Sequence, residues 1–133
     1  MSWPAEGLRH FRPEEFSHPD EMDAALLELL DEIRERAGCP LRVTSDRRTE
    51  EEHRAIYPDP ATRPNSPHLR GTAVDFKPMP YTDDTRLRVL HAITSLYIEG
   101  KCPRLGLEIA NRHFHVDLDT TLRRPHFWLG ESK

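Results

Sequence analysis

Two stretches of alternating residues constrain this chain most. Thr72 to Lys77 sets Thr72, Val74 and Phe76 on one side of an extended backbone and Ala73, Asp75 and Lys77 on the other. His113 to Leu118 repeats the pattern, with Phe114, Val116 and Leu118 opposed to His113, His115 and Asp117. Each reads as a strand with one face for a core and one face carrying imidazole or carboxylate. Paired in one sheet, they would project Asp75 and His115 from the same side, about 5 Å apart. Just upstream, Ser66-Pro67-His68-Leu69-Arg70-Gly71 leads from a proline-rich loop into the first strand. Gly71 lets the backbone turn there without a side chain in the way, so His68 can lean toward the same spot.

The remaining elements follow from periodicity and breakers. Residues 1–19 form an irregular arm whose Trp3, Phe11 and Phe16 are expected to pack on the domain. Pro19 and Asp20 open a first helix with Met22, Ala25, Leu26, Leu29, Leu30 and Ile33 on one stripe, stopped by Gly38 and Pro40. Leu41 to Ser45 is a short strand, and an acidic-fronted second helix ends near Tyr57. Four prolines and an Asn-Ser pair between Pro58 and Pro67 exclude regular structure. Asp83 to Glu99 is a third helix with Leu87, Leu90, His91, Thr94, Tyr97 and Ile98 predicted on its inner face. Arg104 to Ile109 is a further strand, and the aromatic tail around His126-Phe127-Trp128 is expected to fold back over the domain.

At 133 residues the chain fits one domain, 1–133, with an arm at 1–19 and a packing tail at 119–133. A net charge of −4 argues against a nucleic-acid or anionic-membrane partner, which would demand clustered Lys and Arg. No apolar run approaches the roughly 18–20 residues of a membrane span, and the first residues lack the basic start and apolar core of a signal peptide. Synthesis in the cytoplasm is therefore expected. Cys39 and Cys102, far apart and each followed by proline, read as two reduced thiols.

A hydrolytic metal site wants about three protein ligands from His and Asp or Glu, with one position open to water. His68, Asp75 and His115 meet that count, and Zn2+ suits them. Peptide hydrolysis also needs a proton acceptor and a charge stabiliser. His113 shares the face of His115 and is the candidate for the first. Arg47 or Arg48, at a strand-to-helix turn, could hold a substrate carbonyl or carboxylate. Asp117 could orient a ligand histidine or enter an ordinary salt bridge. Ser66 could support the site or simply cap the turn before His68. His10, His18, His53, His91 and His126 have no partner at ligand spacing and read as structural or surface residues; His126 lies on a tail that could cross the cleft.

These residues resemble the zinc D-Ala-D-Ala metallopeptidases and their relatives with the hedgehog/D,D-peptidase fold, among them carboxypeptidases, murein endopeptidases and phage endolysins. The pattern Ser-x-His-(x)6-Asp is matched by Ser66, His68, Gly71, Ala73 and Asp75, and the closing His-x-His or His-Val-Asp element by His113, His115 and Asp117. A Ser-x-x-Arg turn falls on Ser45 and Arg48, which makes Arg47 a neighbour. The likeness runs over about residues 8–128. It implies an α+β fold, a small mainly antiparallel sheet with helices on one face and a zinc cleft on the other. It further implies zinc on His68, Asp75 and His115, a substrate contact at Arg48, and the peptidoglycan peptide stem as substrate. Many members carry a glutamate three residues before the last histidine; here Arg112 stands there, with Glu108 farther back. The resemblance is thus closer to the branch in which the first histidine of His-x-His, here His113, is the base. A monomeric phage or prophage enzyme, reaching the wall through lysis or tail delivery, is the expectation. A non-catalytic zinc-binding domain of a virion, or a zinc amidase or dipeptidase with another substrate, remains the competing reading.

Overall fold

In the computed structural model, which describes residues 3–63 and 66–130, the two alternating stretches lie side by side at the centre of a five-stranded sheet. The strands are β1 (Leu41–Ser45), β2 (Ala73–Pro78), β3 (Gly106–Ile109), β4 (Phe114–Asp117) and β5 (His126–Leu129), in spatial order β1-β2-β4-β3-β5. The first three neighbour pairs are antiparallel and β3–β5 is parallel, so the sheet is mixed and the class α+β. Three α-helices accompany it: α1 (Ala24–Ala37), α2 (Glu50–Ile56) and α3 (Asp83–Ile98). Pro64 and Asn65 of the proline-rich loop, and the chain's first two and last three residues, lie outside the described residues.

The core lies on one side of the sheet. Leu26, Leu27, Leu30 and Ile33 of α1 meet Val89, Ile93 and Leu96 of α3 and the inward residues Val74, Phe76, Phe114 and Val116. Phe76 and Phe114 are cross-strand partners with rings stacked at 5.9 Å. The arm packs as expected: Phe11 and Phe16 are buried and contact one another at 5.8 Å, with Trp3 edge-on to Phe16 at 5.6 Å. The carboxylate of the buried Asp46 also anchors the arm by accepting from the backbone N–H groups of Ser17 (2.6 Å) and His18 (3.2 Å). Both cysteines are unpaired thiols, Cys102 buried and Cys39 half-buried.

The structure corrects two expectations. Pro19–Glu21 is a separate 3-10 turn, and α1 begins at Ala24, because Met22 is extended and drops into the core. The inner face of α3 is Thr85, Val89, Ala92, Ile93 and Leu96 rather than the predicted stripe; Leu87 and Ile98 are exposed. Apolar residues surround this helix on several sides, so packing against α1 and the sheet chooses the buried stripe, and period alone does not. The tail returns as an ordered fifth strand, paired in register Leu107↔Phe127 and Glu108↔Trp128.

The turn into that last strand is built on Asp119, which is fully buried. Its carboxylate accepts from Arg70 Nε (2.7 Å), Thr72 Oγ1 (2.8 Å), Thr121 N (2.8 Å) and Leu122 N (3.1 Å). One side chain thus fastens the segment behind His68 to the segment behind β4. Burial opposes its ionisation, but Arg70, Thr121 and Thr72 hold the carboxyl well below the usual carboxylate range. Asp119→Ala should therefore lower stability by roughly 2–4 kcal/mol in denaturant titrations at neutral pH. Because the folded value is depressed, the contribution is complete above about pH 5 and fades as the pH falls. The stability gap between wild type and variant should accordingly narrow between about pH 5 and pH 2.

Candidate metal centre

On the face of the sheet opposite the core, β2 and β4 are in the register that places Asp75 directly across from His115. His68 arrives from the 3-10 turn Pro67–Arg70, which ends at Gly71 in the left-handed region (φ 73°), a conformation glycine adopts without cost. Ser66 caps that turn, accepting the His68 backbone N–H at 3.3 Å. His68 Nε2 lies 3.2 Å and His115 Nδ1 2.9 Å from the same oxygen, Asp75 Oδ1. Ligand atoms of the three residues all fall within 4.8 Å of one another.

The outer nitrogen of each ring reveals which inner nitrogen can bind a metal. His68 Nδ1 is 2.7 Å from the carbonyl oxygen of Asp46, an obligate acceptor, so that nitrogen carries a proton. His115 Nε2 is 2.8 Å from Asp117 Oδ2 and carries one for the same reason. Both neutral rings then aim lone pairs at a carboxylate oxygen. Acceptors converging on an acceptor repel unless a cation sits among them, and N, N and O donors in one cluster suit a divalent metal. The residues fit the group. Without it a proton takes that place: burial disfavours charge on the His115 ring, but Asp117 and Asp75 outweigh burial and raise its pKa to about 9. Desolvation opposes ionisation of the half-buried Asp75, yet the charges and hydrogen bonds of His68 and His115 hold it well below the usual range.

Asp117 has no exposure and would be untenable alone. Arg124 meets it with two parallel bonds, Nε to Oδ1 and an Nη to Oδ2, each 2.7 Å. The space for this fork exists because the cross-strand neighbours of Asp117 are Ala73 and Gly106. A Cβ on Gly106 would come within 2.3 Å of Arg124 Nε and 2.5 Å of an Asp117 oxygen. Burial opposes ionisation of Asp117, but His115 and Arg124 together lower its pKa to about 2.

The centre lies in the wall of a cavity of about 690 Å3. His113 enters it from the start of β4, with Nε2 3.9 Å from Asp75 Oδ2 and 3.8 Å from Glu108 Oε1. Arg48 lines the cavity from the turn after β1, whereas Arg47 turns away to Glu21 at 3.7 Å. Several lining residues had no site role in the sequence reading, Glu108, Trp128 and Arg124 among them. Glu108 sits across the ladder from His115, and its pKa is lowered by contacts with His113 against the effect of burial, with help from His115 and Trp128. Its signal was the alternation of β3, legible only once the β3–β4 pairing is known. Trp128, 5.6 Å from the His115 ring, and Arg124 come from the tail; His126, stacked on Trp128 at 4.8 Å, joins them there. Of the other histidines, His53 is fully buried and donates through Nε2 to the Arg63 carbonyl at 2.9 Å, while His10 and His18 meet Glu35 and Glu52 on the surface.

Arg124→Ala removes the counter-ion of Asp117 without touching a ligand, so divalent-metal affinity measured by chelator competition should fall roughly 10- to 100-fold.

No curated protein and no solved structure gives a significant match to the chain. The family model described as Peptidase M15 matches residues 9–117, which span β1 to β4 and every member of the His68, Asp75, His115 cluster. This metallopeptidase family is the one to which the chain belongs.

Proposed function

We propose that this protein is a zinc-dependent peptidase that hydrolyses a peptide bond in the stem peptide of peptidoglycan. The observation that carries the reading is the convergence of His68 Nε2, His115 Nδ1 and Asp75 Oδ1 in a cavity wall that also presents His113, Glu108 and Arg48. Family membership supports peptide hydrolysis. The choice of peptidoglycan rests on the likeness of the Ser66–Asp75 and His113–Asp117 motifs to those of wall-cutting members, and a phage or prophage source rests on the same likeness.

Zinc held by His68, Asp75 and His115 supplies Lewis acidity to the site. The chain's own groups supply the rest. Asp46 and Asp117 fix the two ligand rings in the tautomers that leave Nε2 and Nδ1 available. His113 takes the proton of the attacking water at Nε2 and returns it to the leaving amine. Glu108, an ionised carboxylate 3.8 Å away, stabilises the imidazolium that this transfer creates and holds the ring in place. Arg48 donates to the carbonyl oxygen as negative charge gathers on it. The tail walls the cavity through Trp128, which also hydrogen-bonds Glu108.

The alternative of a zinc-binding recognition domain without catalysis draws on Arg112 standing where many relatives have a glutamate. The position of Glu108 beside His113 favours the enzyme.

Two substitutions separate ligand from base. His113→Ala should retain zinc by metal analysis and reduce release of peptides from purified sacculi by about 100-fold or more, read by mass spectrometry. His115→Ala should lose both metal and hydrolysis. Zinc lost from the first variant and kept in the second would reverse the two roles. No new amine ends from wild-type protein, beside a working family enzyme, would rule out the wall-peptidase reading.

A further inference from the structure

One end of the cavity is cationic, with no counter-ion among the described residues. Arg48 and Arg63 both line it, and their guanidinium carbons lie 5.9 Å and 5.2 Å from the centre of the same ring, Tyr57. Several other arginines are tied to carboxylates: Arg36 to Glu99 and Glu32, Arg70 to Asp119, Arg124 to Asp117. Neither Arg48 nor Arg63 has an ion pair among the described residues, and Arg48 Nε is buried without a hydrogen-bond partner. Leaving such a buried donor unsatisfied is destabilising, so its retention at a cavity wall fits an acceptor brought by a ligand. The cavity's own carboxylates do not serve, since Asp75 faces His68 and His115 and Glu108 faces His113 and Trp128.

Arg63 is also held in place. It is a non-glycine residue in the left-handed region, φ 48°, and its carbonyl accepts from the fully buried His53. A strained conformation of this kind persists where surrounding structure enforces it, and such positions cluster at ligand contacts. Here the enforcing group is a buried histidine on α2, one turn before Tyr57, which it contacts at 5.1 Å. The helix end therefore fixes both the ring and the backbone of the second arginine.

We propose that Arg63, stacked with Arg48 about Tyr57, completes a two-guanidinium subsite for a carboxylate of the peptide substrate, next to the scissile carbonyl that Arg48 also meets. This rests on the reading of the cavity as a peptidase site and narrows its substrate to peptides with an anionic group near the scissile amide. Guanidinium forks match a carboxylate with paired N–H donors, and an aromatic face limits the conformations each fork must give up. Two sources share that chemistry. An α-carboxylate ending the peptide makes the enzyme a carboxypeptidase; a side-chain carboxylate on an interior residue makes it an endopeptidase.

Three peptides of one backbone test it: a C-terminal acid, its carboxamide, and a carboxamide bearing an acidic side chain beside the scissile bond. Binding is read by isothermal titration calorimetry on the metal-free chain, and kcat/KM on the zinc-loaded chain. At least one carboxylate peptide should bind about tenfold more tightly than the neutral one, and which of the two does so identifies the source. Arg63→Ala, at an exposed side chain, should collapse that preference to near unity in both measurements, and Arg63→Lys should restore part of it. Equal binding of all three peptides by wild type, or a preference unchanged in Arg63→Ala, overturns the subsite. A preference that depends on Arg63 without hydrolysis of any peptide supports the subsite and removes the peptidase reading beneath it.

Discussion

The register of β2 against β4 is the constraint on which the site depends. Side chains alternate with a period of two, so a one-residue slip would carry Asp75 and His115 to the core and expose the phenylalanines. What prevents the slip is on the other face: Val74 opposite Val116 and Phe76 opposite Phe114, all buried against α1 and α3. Burying each such side chain is worth roughly 1.5–3 kcal/mol, so a wrong register forfeits far more than any strain in the polar face. The candidate ligands on these strands, Asp75 and His115, are placed by hydrophobic burial on the opposite face.

Burial fixes where the ligands stand but not how their rings are turned. That second requirement is met from outside the two strands. Asp46 serves twice, its side chain gathering the backbone of the arm and its carbonyl setting the tautomer of His68. Asp117 does the same for His115 at a greater cost, because a carboxylate without exposure needs a charged partner. Arg124 provides it from beyond the stretch that the family model matches. The arm, the turn after β1 and the tail are thus fastened to the centre by short polar contacts that the packing of the core makes possible.

Features that depend on local period were legible in the residues. The two strands and their polar faces, the ligand cluster, the packed aromatic arm and the glycine turn after His68 could all be read from spacing. Features that depend on which surfaces meet were not. In α3 the apolar residues run round several sides, and Leu87 and Ile98 stand in solvent while Thr85 and Ala92 are buried. Met22 was assigned to a helical stripe and instead reaches the core from extended backbone. The four residues of β5 are too few to show a period, and their pairing with β3 is parallel and distant in sequence. Asp119 is invisible for the same reason, since its partners lie both on its own turn and nearly fifty residues away.

Glu108 shows most plainly how sequence position and spatial position part company. Arg112, where many relatives carry a glutamate, falls in the turn between β3 and β4 that is closed by the Ala110 N–H to His113 carbonyl bond, and it is exposed there. A glutamate in that turn is one way to bring a carboxylate near the first histidine. The antiparallel ladder offers another, because residues paired across it project from the same face at about 5 Å. Glu108 is paired with His115, so its carboxylate lies beside His113 and the cluster without being near either motif in the sense of a pattern. Trp128, the residue paired with Glu108 on the other side, then closes over it from β5. Glu108 therefore belongs to a row running across the sheet, His115 to Glu108 to Trp128. A pattern read along the chain sees only one member of that row at a time.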